Sequence, residues 1–220
     1  MRKATCQALV DLFRAQPFVF LTGDLGFMAL ENLRDVMGDR FINAGIAEQN
    51  MVSVAAGISS AGMQSWVYSI APFLYARPFE QIRNDVCLHN LDVKLIGNGG
   101  GYGYGAMGAT HHALEDYGIL LSLQNMHVFI PVFAEDLTVV IPKMAVSHHP
   151  TYLRLGKCEK PAGFVLPEYA PWRKLLPGEG PVILAVGPLA GGIQRRPSTY
   201  RLPGQGRQPL PGAFAGASRT

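Results

Sequence analysis

Paired cysteines, long apolar runs and a strong charge of one sign are all missing from this chain of 220 residues. Its three cysteines, Cys6, Cys87 and Cys158, stand far apart without metal-ligand spacing. That argues against a disulfide framework or a zinc site, and for buried thiols in a reducing compartment. No apolar stretch is long enough to span a bilayer, and Met1-Arg2-Lys3 leads into an amphipathic helix rather than a signal peptide. The reading is a cytoplasmic protein with no membrane partner. Charged residues make up 16% of the chain, and the net charge of +3 is misleading. Residues 191–220 hold five arginines and no acid, which leaves 14 basic and 16 acidic side chains, a formal −2, for residues 1–190. The globular part therefore gives no electrostatic case for nucleic acid. The chain also lacks a G-x-x-x-x-G-K-[ST] phosphate loop and a G-x-S-x-G nucleophile turn.

What is present is apolar and periodic. At 48% hydrophobic the chain can bury a sizeable core. Residues 3–14 have a helical apolar face, and Phe18-Val19-Phe20-Leu21-Thr22 is a continuous apolar run of the kind covered on both faces of a sheet. Further strands are expected at 41–42, 64–69, 93–96, 128–130 and 151–155, and helices at 31–37, 48–61, 74–88, 113–121 and 136–146. Strands alternating with helices of about ten residues predict an α/β fold, a doubly wound and mainly parallel sheet with helices on both faces. Residues 1–157 read as one domain and the proline-rich 158–180 as a linker. Residues 181–190 look like the start of a truncated second domain, and 191–220 a low-complexity, disordered tail, either a native extension or a frame-shifted end.

The chemistry-bearing stretch is Asn43-Ala44-Gly45-Ile46-Ala47-Glu48-Gln49-Asn50-Met51-Val52. Glu48 falls in the first turn of a helix kept thin by Ala55, Ala56, Gly57, Ser59 and Ser60. Its place suits the helix dipole, so by itself it is either a surface carboxylate or a functional one. Asp24 follows the first strand at the carboxyl edge of the sheet, where open α/β folds bind ligands; a turn or cap role is the alternative. The run Gly99 to Gly108 contains a formal G-x-G-x-x-G at 103–108, but it does not lead straight from strand to helix, and the expected acidic position falls near Val128. A loop that lets backbone approach a ligand is the better reading. His111 and His112 are adjacent and cannot both face one metal from a helix; His111 could bind substrate oxygens. Arg154 lies inside a strand, where a charge needs an internal partner or a bound anion.

Five segments together resemble one family. They are Asp24-Leu25-Gly26, Gly45-Ile46-Ala47-Glu48-Gln49-Asn50-Met51, Ala71-Pro72-Phe73-Leu74, Arg77-Pro78-Phe79-Glu80-Gln81-Ile82-Arg83-Asn84-Asp85 and Gly108-Ala109-Thr110-His111-His112-Ala113-Leu114-Glu115-Asp116. In order and spacing, over about residues 2–157, they are similar to the pyrimidine-binding domain of transketolases, in particular the carboxyl-terminal half of split transketolases. Deoxyxylulose-phosphate synthases and the β-subunits of 2-oxoacid dehydrogenases are relatives.

The resemblance implies a thiamine diphosphate enzyme. It makes Glu48 the carboxyl that hydrogen-bonds the aminopyrimidine ring and favours the imino form, whose nitrogen removes the thiazolium C2 proton. Such a carboxyl must hold or share a proton, which burial favours. It implies that Phe73 stacks on the ring, that Asp24 lies near the cofactor, that His111 contacts the sugar and acts with Glu48 in catalysis, and that Arg154 binds the sugar phosphate. Three departures stand out: Ile70 where a second aromatic is frequent, Met107 where full-length transketolases have an aspartate, and Met28 where a phosphate-contacting serine would fall. No Gly-Asp-Gly is present, so Mg²⁺ and the diphosphate are expected on a partner chain, in a dimer of heterodimers acting on phosphosugars. No metal ligand is expected here. A deoxyxylulose-phosphate synthase-like subunit and a non-catalytic structural subunit are the alternatives.

Overall fold

The computed structural model describes residues 1–178, 182–195 and 213–217. Six strands, β1 (Val19–Thr22), β2 (Phe41–Asn43), β3 (Ser65–Ile70), β4 (Val93–Asn98), β5 (His127–Phe129) and β6 (Thr151–Leu155), form one sheet in the order β2-β1-β3-β4-β6-β5. All five pairings are parallel. The register explains the unbroken apolar strands. Leu21, Val67, Leu95, Tyr152 and Val128 pair in one row across the sheet and belong to one core. Their neighbours Tyr68, Ile96, Leu153 and Phe129 pair in another row and belong to a second core on the opposite face. With a side-chain period of two and both faces covered, no strand position is left for a polar stripe.

Each face has its own helices. Met51, Val52, Ala55 and Ala56 of α3 (Glu48–Ser60), with Leu74 of α4 (Ala71–Tyr75), cover the first face. The second is covered by Leu9 and Val10 of α1 (Arg2–Ala15), Leu33 and Met37 of α2 (Glu31–Met37), and Val140, Ile141 and Met144 of α7 (Leu137–Val146). The small side chains of α3 let it sit close to the sheet, and the Ala55 carbonyl accepts a hydrogen bond from Ser65 Oγ at 3.0 Å. Among the described residues no helix is long and apolar enough to cross a membrane.

Two helices differ from the sequence expectation. The helix expected over 74–88 is divided: α4 ends at Tyr75, and the chain resumes at α5 (Phe79–Gln81) and passes into a π-helical turn at Ile82–Cys87. Pro78 brings no N–H and disfavours helix at the residue before it, which accounts for the break. The helix expected at 113–121 is only α6 (Asp116–Leu120), because Ala113 is drawn into an antiparallel bridge with Gly101.

The stretch expected to be a linker contains a strand, β7 (Trp172–Leu176), which lies in a three-stranded sheet of order β7-β9-β8 with β8 (Val182–Val186) and β9 (Ala213–Ala217). Helix α8 (Pro188–Arg195) follows β8. Leu175, Ala185, Ala190 and Ile193 bury against Val132 and Phe133, a contact between segments too distant in sequence to be foreseen. Arg173 Nη2 also donates to Asp136 Oδ2 at 2.7 Å. Of the expected disordered tail, residues 191–195 are helical and 213–217 pair with β7 and β8, so regular structure reaches into it. Residues 196–212 and 218–220 lie outside the described residues.

Candidate functional site

The strand order turns about β1: β2 lies on one side and β3 on the other. Such a switch opens a crevice outside the carboxyl ends of the strands, the usual ligand site of an open parallel sheet. Asp24 stands there, two residues past β1, at φ 57°. Its N–H donates to Asn43 Oδ1 at 3.1 Å, and Asn43 Nδ2 returns a bond to Asp24 Oδ1 at 2.8 Å. The Gly45 N–H shares the same Asn43 oxygen at 3.0 Å. One asparagine thus fastens the ends of β1 and β2 to the turn that delivers Glu48.

Glu48 is the buried charge of the crevice, with its side chain 2% exposed. Ser69 Oγ, from the end of β3, donates to Oε1 at 3.2 Å, and Arg77 Nη1 donates to Oε2 at 2.8 Å. Gly23 borders this carboxylate. A Cβ there would come to 3.4 Å from Glu48 Oε1 and 3.6 Å from both the Gly45 carbonyl and Ser69 Oγ, in van der Waals contact with all three. Phe73, half-buried on α4, presents its ring beside this group, with the Arg77 guanidinium 4.0 Å from the ring centroid.

His111 comes to the same place from the far side. Its ring centroid lies 5.1 Å from that of Phe73, edge to face, and 5.8 Å from that of Tyr104. Thr110 Oγ1 lies 3.0 Å from His111 Nδ1. His112 turns the other way, with Nε2 2.9 Å from the Gly105 carbonyl. The glycine-rich loop carries only short 3-10 turns, at Gly105–Met107 and Ala109–His111, where a dinucleotide fingerprint would need a long helix. Its first glycines dock on β6: the N–H groups of Gly99 and Gly100 both donate to the Leu155 carbonyl, at 3.1 and 2.9 Å.

Arg154 lies beneath this loop with its side chain 12% exposed. Nη2 donates to the Ala113 carbonyl at 2.7 Å, Nε is 3.3 Å from Asp116 Oδ2, and Cζ stands 5.0 Å from the centroid of Tyr117. Tyr152 OH donates to the same Asp116 oxygen at 2.8 Å. Burial pushes the Asp116 carboxyl up, against the pull of Arg154 and the Tyr152 hydroxyl. The internal-partner alternative for Arg154 is the arrangement found; Glu48, Phe73 and His111 are brought together, and Arg154 is placed behind them.

Sequence reasoning missed the cations of the crevice. A cavity of about 650 Å³ is lined by Arg2, Lys3 and Lys157 together with Met28, Asn98 and Tyr104. A smaller cavity shares Arg2, Asn98 and Tyr104 with it and extends to Asp24 and Tyr68. Arg2 Nη2 is anchored on the Phe27 carbonyl at 2.9 Å, and Asn98 Nδ2 donates to Tyr104 OH at 2.8 Å. The Tyr68 hydroxyl is pushed up to about 12, chiefly by burial. Only the packing of α1 across the sheet, where the Gly156 N–H meets Met1 Sδ at 3.4 Å, puts Arg2 near Lys157.

The crevice therefore offers a buried carboxyl with an aromatic face beside it, a histidine on that ring, and basic side chains further along. Residues 1–161 match the family model described as transketolase, pyrimidine binding domain. The chain is 37% identical over 123 residues to one of the subunits of the apulose-4-phosphate transketolase of Actinobacillus succinogenes, covering 56% of this chain and 40% of that protein. It is 31% identical over 194 residues to the putative transketolase C-terminal section of Methanocaldococcus jannaschii, covering 85% of this chain and 61% of that one. The chain thus spans about half the length of these curated relatives. Among solved structures, a split gene transketolase described as an inactive β4 tetramer superposes with a TM-score of 0.81 at 31% identity, over 99% of this chain and 71% of that one. The transketolase of Leishmania mexicana, at 20% identity, shares the fold with a TM-score of 0.80, over 99% of this chain and 34% of that one.

Proposed function

The chain belongs to the transketolase family as a pyrimidine-binding domain, and from that premise we propose that it is one subunit of a divided transketolase. With a second chain carrying the diphosphate- and Mg²⁺-binding domain, it moves two-carbon ketol units between phosphosugars. The pair acts as a dimer of heterodimers. The observation that carries this reading is Glu48: a carboxylate buried at the switch point of the sheet, bordered by Gly23 and linked through the Arg77 guanidinium to the Phe73 ring. That cradle fits the pyrimidine half of thiamine diphosphate, which asks for a carboxyl at its edge and an aromatic on its face. The inactive β4 assembly of the split-gene relative supports a need for a second kind of chain.

When bound, thiamine diphosphate supplies the carbon nucleophile that takes up and releases the ketol unit. The rest falls to this chain. Glu48, with one oxygen steadied by Ser69, would hold or share a proton at the pyrimidine edge. Phe73 would hold the ring by its face, and Asp24, fastened to Asn43, would border it. His111, held against Phe73 and Tyr104, contacts the sugar and moves protons at its oxygens. Arg2 and Lys157 supply positive charge for the sugar phosphate, and Arg154 supports the loop from below.

The test is ketol exchange between phosphosugars by this chain mixed with a diphosphate-domain subunit. Activity in the mixture that falls by about 10²–10⁴-fold on Glu48→Ala supports the reading. Full turnover by the Glu48→Ala mixture contradicts it. A product formed from pyruvate instead would reassign the chain to the deoxyxylulose-phosphate synthase type.

A further inference from the structure

Arg77 already meets both groups that an aminopyrimidine ring would need. Its Nη1 donates to Glu48 Oε2 at 2.8 Å, while its Cζ stands 4.0 Å from the Phe73 centroid. A guanidinium is flat, donates hydrogen bonds from its edge and stacks by its face. An aminopyrimidine bound to a carboxyl and an aromatic uses the same two contacts. The carboxylate leaves little choice of atom, because Oε1 is held by Ser69 at 3.2 Å and Oε2 is the oxygen Arg77 holds.

The two partners differ in freedom. Glu48 is fixed between the start of α3 and the end of β3 with its side chain 2% exposed, whereas that of Arg77 is 45% exposed. Arg77 also sits in the short break between α4 and α5, just before Pro78, where no helical ladder restrains it. Withdrawing it with nothing in return would leave a buried carboxylate unpaired. An exchange of one flat donor for another avoids that.

We propose that Arg77 stands in for the aminopyrimidine ring in the chain without cofactor, and that the ring binds by displacing it. This rests on the reading of Glu48 and Phe73 as the ring site. Arg77 is then a determinant of cofactor affinity: the ring binds only the fraction of molecules in which Arg77 has swung out, and its apparent affinity falls by that fraction.

The test uses this full chain and a neutral probe, 4-amino-5-hydroxymethyl-2-methylpyrimidine, titrated by NMR. Because the probe carries no diphosphate, removing Arg77 changes no attraction to an anion. The Arg77→Met variant should bind the probe about 5- to 30-fold more tightly than the wild type. Arg77→Lys, which keeps the charge but not the flat face, should fall between them. Raising salt should tighten binding to the wild type, by weakening the half-exposed Arg77–Glu48 pair, and leave Arg77→Met unchanged. Equal or weaker binding by Arg77→Met, with Glu48→Ala abolishing binding, overturns the displacement idea and leaves the ring site standing. No binding by any variant, or full binding by Glu48→Ala, overturns the ring site and the proposal with it.

Discussion

Arg154 fills the space that a side chain at Gly100 would need: a Cβ there would collide with the Nε, Cγ and Cδ atoms of Arg154. The glycine loop is therefore seated on the arginine, and the arginine on Asp116 and the Ala113 carbonyl. Through Ala113 the same side chain reaches the segment that carries His111. Arg154 acts on the site by holding two of its walls in register.

Gly100→Ala tests that seat. The clash is with the root of the side chain as well as its head, so the loop must shift, and a loss of about 1–3 kcal/mol in urea unfolding is expected. Gly118→Ala is the contrast, since nothing lies within 4 Å of the added Cβ and the residue is inside α6. It should stabilise by about 0.4–1 kcal/mol through the unfolded chain.

The cations of the crevice make a kinetic prediction. Arg2→Ala and Lys157→Ala should each raise KM for a phosphosugar about 10-fold or more, the loss of one charge-assisted hydrogen bond of about 1.5–3 kcal/mol. Thiamine diphosphate affinity should be unchanged, which separates this end of the crevice from the Glu48 end. Steady-state kinetics with phosphorylated and unphosphorylated sugars reads both, and the unphosphorylated sugar should be indifferent to either change.

The Asp136–Arg173 pair ties β7 to the sheet domain. Both side chains are almost fully buried, at 1% and 5% exposed, and the Asp136 carboxylate also accepts the Val132 and Phe133 N–H groups at 2.9 and 3.1 Å. Arg173→Met leaves that carboxylate without its cation and should cost about 3–5 kcal/mol in urea unfolding. Breaking Arg34–Asp35, whose side chains are 59% and 67% exposed, should cost about 0–1 kcal/mol.

High pH should weaken the fold in part through two tyrosines. Tyr68 and Tyr75 are both pushed up to about 12, chiefly by burial, and Tyr75 further by its hydrogen bond to Glu115. An unfolded chain titrates its tyrosines near about 10. Between about pH 10 and 12 the unfolded state has therefore released protons that the folded state keeps, so stability falls as pH rises across that window. Tyr68→Phe and Tyr75→Phe together should flatten the fall, measured as urea midpoints between those limits.

Much of this was legible in the sequence because it is local. The apolar runs and their spacing set out the parallel sheet, and Glu48 with its helix of small residues could be found from a single stretch. Other features depend on contacts that no stretch contains. Arg2 and Lys157 line one cavity only because α1 packs across the sheet, bringing Met1 to Gly156. Ala113 leaves its expected helix for a bridge to Gly101, which forms only after the loop folds back. The division of the 74–88 helix is a different matter: Pro78 stood in plain view, and its missing N–H was enough to foresee the break. For Arg154, a charge in a strand announced that a partner was needed, but Asp116 lies on another element and could not be named in advance.

Calorimetry of thiamine diphosphate with Mg²⁺ decides whether a second chain completes the cofactor pocket. The titration is run on this chain alone, on a diphosphate-domain subunit alone, and on their mixture. Binding that becomes tight only in the mixture, and is lost there with Glu48→Ala, is the predicted result. Equally tight binding by this chain alone would mean that the pocket is not shared, and a mixture indifferent to Glu48→Ala would remove Glu48 from it.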